Sequence, residues 1–408
     1  MPMKKTLCIF LSALMLLGLF SACGNTEPQE TTASTPEQTT SATTGETTSE
    51  TLATPGSTLG TVIMTRTEEP VPETEAPETL ESTPATSAPE TTAPPTEATT
   101  TVLTALPMLG DIQDVNGVLT VGACAMEYYY ASYDGLRNYA GYVNALQSYL
   151  PDVNFYAMFI PIAIAMYCPQ GVNGGSDQQT VMNDWYDMMP GVVGVDTFSH
   201  LYDHRQEYLY FRTDTHWTQR GGYYAYTAFC EAADITPNPL EAYEYASSVG
   251  YLGYMHTILK GTGVGYAMEA NPDTVEKFKP VSDLTARGYY DPSMTGGGYE
   301  VTVVNLDSGN YYAFTQGDQP LIHIKNNSVS NGRVAIVTKD SYGNTLVPFL
   351  ADCFEEVYVV DQRHFNTDNT YSLNIVSFAQ LHGVTDFIIE ANSFNASAAS
   401  GNFGRLLP

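Results

Sequence analysis

Basic residues are scarce in this chain: 16 Lys and Arg stand against 45 Asp and Glu, for a net charge of −29. So acidic a surface repels phosphate backbones, which argues against nucleic-acid binding. Long apolar runs are missing too. The run at 7–20 covers 14 residues, too short to span a bilayer. Cysteine is sparse, six in all, and no pair has the CxxC spacing of a zinc or redox site. No glycine-rich phosphate fingerprint follows a strand pattern, since GTGVG at 261–265 reads as a loop. His200 and His204 stand four apart, but HLYDHRQE lacks the glutamate of a zinc-protease helix. Neither a metal nor a cofactor is therefore expected.

What is present first is an export signal. Lys4 and Lys5 precede the 7–20 run, whose length suits a secretory signal. Ser21 and Ala22 then lead to Cys23, which resembles the bacterial lipobox with Phe20 where leucine is usual. The resemblance implies a signal at 1–23 and a lipid on Cys23, anchoring the protein to the outer face of the cytoplasmic membrane. Residues 24–106 are mostly Thr, Glu, Pro, Ala and Ser. That composition lacks the apolar surface to offset chain entropy, so a disordered linker is expected. As a coil it would span roughly 50 Å, and up to about 260 Å as polyproline II, holding the rest of the chain away from the membrane. The linker carries −12 of the charge and residues 107–408 carry −19, so the folded part is itself acidic.

From 107 onward the apolar runs are short and dense. NFYAMFIPI (154–162), VVGVD (192–196), RVAIVT (333–338), EVYVVD (356–361) and DFIIE (386–390) read as strands buried on both faces. Helical patterns at 132–150, 177–189, 218–233 and 344–354 alternate with them. This predicts a layered α/β domain with a mostly parallel sheet. The pattern weakens between about 240 and 325, where an insertion or lid with some antiparallel strand is expected. Four cysteines remain in the domain, Cys124, Cys168, Cys230 and Cys353, and sequence cannot choose among their pairings or distinguish them from buried thiols.

Two stretches carry chemistry. In YFRTDTHWTQRGGYYAY (210–226), an extended reading sets Asp214 and His216 on one face, where a carboxylate would orient an imidazole and leave its other nitrogen as a base. A local structural hydrogen bond is the plainer alternative. In RVAIVTKDSYGNTLVPFL (333–350), Ser341 falls between a strand pattern and a helix pattern, near backbone N–H groups that can stabilise an oxyanion. Capping of that helix is the plainer alternative here. Backbone N–H groups near Tyr342 and the side chain of Asn344 are candidate oxyanion donors. Trp217, Tyr223 and Tyr224 are candidates for a sugar site or for packing, and Arg212 for binding a carboxylate or pairing with an acid.

FRTDTHWTQRGGYYAY and KDSYGNTLVPFLADCFEEVYVVDQRHF together resemble the DHHW protein family, named for an Asp-His-His-Trp motif in exported bacterial proteins. That family is similar to the SGNH-hydrolase-like domains of periplasmic alginate O-acetylation proteins, which carry Asp-Thr-His-Trp. Thr215 matches the second spelling and its surroundings the first, over about 117–408. The resemblance implies an SGNH-hydrolase-like three-layer sandwich with Ser341 as nucleophile, His216 as general base and Asp214 as its orienter. It further implies O-acetyl transfer to a cell-envelope polysaccharide, with acetyl supplied by a membrane-bound acyltransferase. An acetylesterase or a non-catalytic glycan-binding protein is the alternative.

Overall fold

Val, Ile and Phe crowd both faces of the 154–160, 334–339, 356–361 and 386–392 runs, and in the computed structural model these four lie side by side as strands. The structure describes residues 103, 110–365, 373–398 and 403–408, which fall in one unit, Ala98–Pro408. The signal at 1–23 with Cys23, and the linker at 24–106 apart from Leu103, lie outside the described residues. Among the described residues no helix is long and apolar enough to cross a membrane.

In chain order the strands are β1 (Ile112–Val115), β2 (Val118–Val121), β3 (Cys124–Met126), β4 (Asn154–Ile160), β5 (Val193–Gly194), β6 (Glu244–Tyr251), β7 (Asp273–Lys279), β8 (Leu284–Tyr289), β9 (Tyr299–Glu300), β10 (Leu321–Asn326), β11 (Val334–Lys339), β12 (Glu356–Asp361) and β13 (Asp386–Asn392). β1, β2 and β3 form an antiparallel meander. The main sheet has the order β5-β4-β13-β11-β12-β10-β8-β9. Its pairs are parallel from β5 to β12 and antiparallel from β12 to β9. The fold is therefore mixed α/β around a large, mostly parallel sheet. Of residues 240–325, β8, β9 and the start of β10 extend that sheet, while β6 and β7 pair in a ladder of their own.

β4, β11, β12 and β13 are buried over nearly their whole length, which is why their sequences do not alternate. β5 is shorter than the expected 192–196 run and exposed. Asp196 leaves the strand to cap the helix Thr197–Asp203, accepting from Ser199 N–H at 3.0 Å. Three longer helices start in the same way: Ser132 caps Tyr133–Tyr149, Asp177 caps Gln178–Asp187 and Thr218 caps Gln219–Ala232. In Tyr133–Tyr149, Leu136, Tyr139, Ala140, Val143 and Leu146 recur every three or four residues and form the buried stripe. Each such Leu or Val contributes about 1.5–3 kcal/mol through burial.

Topology places the site. The chain leaves β11 through the helix Gly343–Leu350 to β12 on one side of it, then returns through Ile375–Leu381 to β13 on the other. β11 thus ends where successive crossovers diverge, at the carboxyl edge of the sheet where open α/β folds form their binding crevice.

Candidate active site

Ser341 lies two residues beyond the end of β11, in a turn held by buried carboxylates. Asp340 Oδ1 accepts from Tyr342 N–H at 2.8 Å, and its Oδ2 accepts from Asn392 N–H at 2.8 Å and Asn395 Nδ2 at 2.7 Å. Asp340 N–H in turn donates to Glu390 Oε2 at 2.9 Å. Burial pushes the Glu390 carboxyl well above its ordinary value, and the Asp340 charge adds to the rise. Lys339, also fully buried, pairs with Asp361 at 2.9 Å. With its turn clamped on both sides, Ser341 points out of the edge, partly exposed.

His216 meets it there, 125 residues away in sequence. Its Nε2 is 2.8 Å from Ser341 Oγ and its Nδ1 is 2.5 Å from Asp214 Oδ1. An ionised Asp214 only accepts, so Nδ1 carries the proton and Nε2 is the acceptor toward the Ser341 hydroxyl. Burial pushes the Asp214 carboxyl upward, but the His216 charge, its hydrogen bond and the Tyr254 and His216 amides outweigh that and hold it at about 2. Its second oxygen accepts from Tyr251 OH at 3.0 Å and Tyr254 N–H at 2.7 Å.

The local geometry differs from the extended segment expected. Tyr210 bridges to Trp217, and Phe211 N–H donates to His216 C=O, so 212–216 is the bent tip of a tight hairpin-like loop. Asp214 Oδ1 accepts from His216 N–H at 3.0 Å, the Asx-type turn that brings the two side chains together. Strand alternation plays no part.

The hairpin tip packs against residues that sequence patterning missed. Gly253 touches Asp214 so closely that a Cβ there would lie 2.1 Å from Oδ2. The Tyr311 ring stacks on His216, centroids 4.2 Å apart and 17° between planes, and its hydroxyl donates to Ser341 C=O at 2.8 Å. Glu127, partly buried, accepts from the Thr215 hydroxyl between the two motif residues. Tyr251, Gly253, Tyr254 and Tyr311 all come from the region without clear periodicity, where only the density of Tyr and Gly set the segment apart.

Several expected site residues have other work. Trp217 is fully buried and donates from Nε1 to Tyr342 C=O at 2.9 Å, so it pins the two motifs together and cannot line a sugar site. Tyr223 is buried on the helix Gln219–Ala232, packs edge-on against Phe349 and donates to Asn238 C=O; Tyr224 stacks on His204 and donates to Glu207 at 2.6 Å. Arg212 donates from Nε to the buried Asp273 at 3.0 Å and lines a cavity of about 550 Å³ with Asp111, Cys124 and Asn271, a cavity that none of Asp214, His216 or Ser341 lines. The Tyr342 N–H is taken by Asp340 and is no oxyanion donor. Asn344 is buried, with Nδ2 donating to Asp318 at 2.9 Å and Oδ1 accepting from Thr315, so its amide is structural too. By contrast, the Ser341 N–H makes no hydrogen bond among the described residues.

His200 pairs with Thr227 and Glu231 and His204 with Glu207, so the two do not converge on a metal. Asp318, Asp361 and His364 bring ligand atoms close together, but the cations Lys339 and Arg363 already pair with both carboxylates. Cys124, Cys168, Cys230 and Cys353 are free thiols in the structure.

A mixed α/β protein with a Ser–His–Asp line at the carboxyl edge of its sheet is the class these features define. The chain belongs to the DHHW protein family, whose model matches residues 96–360. A DHHW family protein from Eubacterium siraeum is similar at 30% identity and a TM-score of 0.64, over 73% of this chain and 99% of that one. PatB1 of Bacillus cereus, solved with a sulfonyl adduct, shares the fold at 17% identity and a TM-score of 0.57, over 74% of this chain and 100% of that one. The O-acetyltransferase domain of Pseudomonas putida AlgJ aligns at 13% identity and a TM-score of 0.39 over 65% and 84%, too distant to bear on the site. No curated protein matches the chain.

Proposed function

We propose that this protein is a surface-anchored acyl-transfer enzyme, an O-acetyltransferase for a cell-envelope polysaccharide, with Ser341 as nucleophile. The observation that carries the reading is the unbroken hydrogen-bonded line from Asp214 through His216 to Ser341. His216 Nε2 takes the hydroxyl proton as Ser341 Oγ attacks the acetyl carbonyl, and the new C–O bond places charge on the carbonyl oxygen. The unengaged Ser341 N–H stands ready to donate to that oxyanion. Collapse expels the donor alcohol, which leaves with the proton from His216, and an acetyl-serine remains. A sugar hydroxyl then gives its proton to His216 and attacks the acetyl carbon; the bond to Ser341 Oγ breaks as His216 returns the proton to that oxygen, and the acetylated sugar departs. General-base assistance of this kind contributes about 10²–10⁴-fold.

Water in place of the sugar would make the same site an esterase, so the identity of the second nucleophile sets the reaction. The wider setting is part of the proposal: lipid on Cys23, a linker holding the domain away from the membrane, acetyl passed from a membrane-bound acyltransferase, a cover over the site from 240–325, and the three-layer SGNH-like arrangement. Opposite crossovers on the two sides of β11 support that last point.

The test is sulfonyl fluoride labelling, a choice prompted by the adduct on PatB1, alongside p-nitrophenyl acetate hydrolysis by the full chain. Labelling is expected at Ser341, with both label and turnover lost in Ser341→Ala and reduced about 10²–10⁴-fold in His216→Ala. Equal hydrolysis by wild type and Ser341→Ala would remove the enzyme reading and leave a glycan-binding one.

A further inference from the structure

Three consecutive residues beside the site have left-handed backbone: Thr315 (φ 52°), Gln316 (φ 56°) and Gly317 (φ 81°). Only glycine adopts this region without cost, and a β-branched threonine there is strained. The surroundings hold it. The Thr315 hydroxyl lies within reach of Phe314 C=O at 2.8 Å, Gly317 C=O at 3.2 Å and Asn344 Oδ1 at 3.0 Å, and Asp318, which follows Gly317, accepts from Asn344 Nδ2 at 2.9 Å. The turn is therefore bolted to the first turn of the helix behind Ser341, and Asp318 lies near enough to His216 for the imidazole charge to act on it.

The turn supports an outward aromatic surface. Tyr312, next to the Tyr311 that stacks on His216, lies across Gly317 so closely that a Cβ there would be 2.8 Å from its ring, yet it is 66% exposed. Two residues past Gly317, Gln319 accepts from Tyr299 OH at 2.5 Å. Tyr299 packs on Tyr290, centroids 5.1 Å apart, and Tyr290 is 75% exposed. Single exposed tyrosines are ordinary. These are linked through one strained turn to one another and to the nucleophile's helix.

We propose that Tyr312, Tyr299 and Tyr290 form an acceptor platform that stacks the sugar rings of an uncharged glycan and leads it to Ser341. Aromatic faces bind the C–H faces of pyranose rings. The acidic domain, −19 from residue 107 onward, disfavours polyuronic or phosphorylated chains. The proposal rests on the acyl-transfer reading only for the platform's purpose.

The test uses the full chain with Ser341→Ala, so that nothing turns over, and calorimetry with four hexasaccharides: neutral xylohexaose, cellohexaose and N-acetylated chitohexaose, and acidic hexagalacturonate. At least one neutral hexamer is expected to bind and the acidic one not to. Tyr312→Ala and Tyr290→Ala should each weaken binding about tenfold, the scale of one lost stacking contact, while Tyr312→Phe keeps it. Tyr149→Ala, an exposed tyrosine elsewhere, serves as control. Binding of no neutral hexamer, preference for the acidic one, or undiminished affinity in both alanine variants overturns the platform. Sulfonyl labelling of the parent chain separates the two readings. A labelled Ser341 without tyrosine-dependent binding removes the platform alone, whereas tyrosine-dependent binding without labelling keeps the platform and removes the acyl transfer.

Discussion

At the scale of single residues, the proposed mechanism makes His216 depend on Asp214. Its carboxylate accepts from the His216 ring and backbone, Tyr251 and Tyr254, so it stays ionised in a buried place. Asp214→Asn keeps the shape but puts an amide opposite Nδ1, favouring the wrong tautomer. p-Nitrophenyl acetate turnover is expected to fall by about 10⁴-fold, and the thermal midpoint near neutral pH to fall with the lost carboxylate. A loss under tenfold would mean that Asp214 is only architectural. The stability sign follows from its depressed value. Asp214 contributes fully above its unfolded value of 3.8, and that contribution is lost as pH falls toward about 2. Glu127 acts in the opposite sense. Burial raises it to about 7, against the Thr215 hydrogen bond and the His216 charge and with help from Asp214; Tyr254 and Tyr342 also face it. Its contribution is complete below the unfolded 4.5 and lost as pH rises through about 7. Thermal midpoints should therefore drop between pH 4.5 and 7.5, and Glu127→Gln should flatten that slope. An unchanged slope in the variant would refute the assignment.

At the scale of elements, the site is a junction of three pieces: the 210–217 hairpin tip, the turn after β11, and loops from the Tyr-rich region. Gly253 shows how closely they meet. Its backbone is ordinary, so only space demands glycine, and the Cβ of Gly253→Ala would displace the Asp214 carboxylate. Ser341 sulfonylation in that variant should slow by at least about 10²-fold, as when the base loses its support, and a normal rate would show that the loop yields. Asn344→Ala breaks a different joint: it removes the buried amide that donates to Asp318 and accepts from the Thr315 hydroxyl, which keeps only the Phe314 and Gly317 carbonyls of its own turn. The expected cost is about 1–3 kcal/mol, read as a lowered midpoint of roughly 2–4 °C per kcal/mol. An unchanged midpoint would mean that the left-handed turn does not depend on that amide.

At the scale of the whole molecule, a strongly acidic domain follows a long Thr- and Glu-rich tract and a lipobox-like cysteine. If Cys23 carries lipid, Cys23→Ser should move the protein from the membrane fraction to the soluble one and abolish incorporation of labelled palmitate. Retention of both would assign the anchor to another segment. Reach would then be the physical consequence of the proposed anchor: a coil of this length would let the domain sample a shell roughly 50 Å deep.

The sequence by itself determined which chemistry was available. Unbroken apolar runs marked β4, β11, β12 and β13, because strands covered on both faces need no polar alternation, and the strand–Ser341–helix order put a serine at a sheet edge. Asp214 and His216 were legible because they lie two apart. Tertiary structure alone decided their use. The bond that joins His216 to Ser341 crosses 125 residues, and Tyr311 reaches Ser341 over 30 and Tyr254 reaches Asp214 over 40; no local period records contacts of that kind. It also turned Trp217, Tyr223 and Asn344 from ligand candidates into packing, since a residue type states what a side chain can bond to, while burial and neighbours select the partner it has.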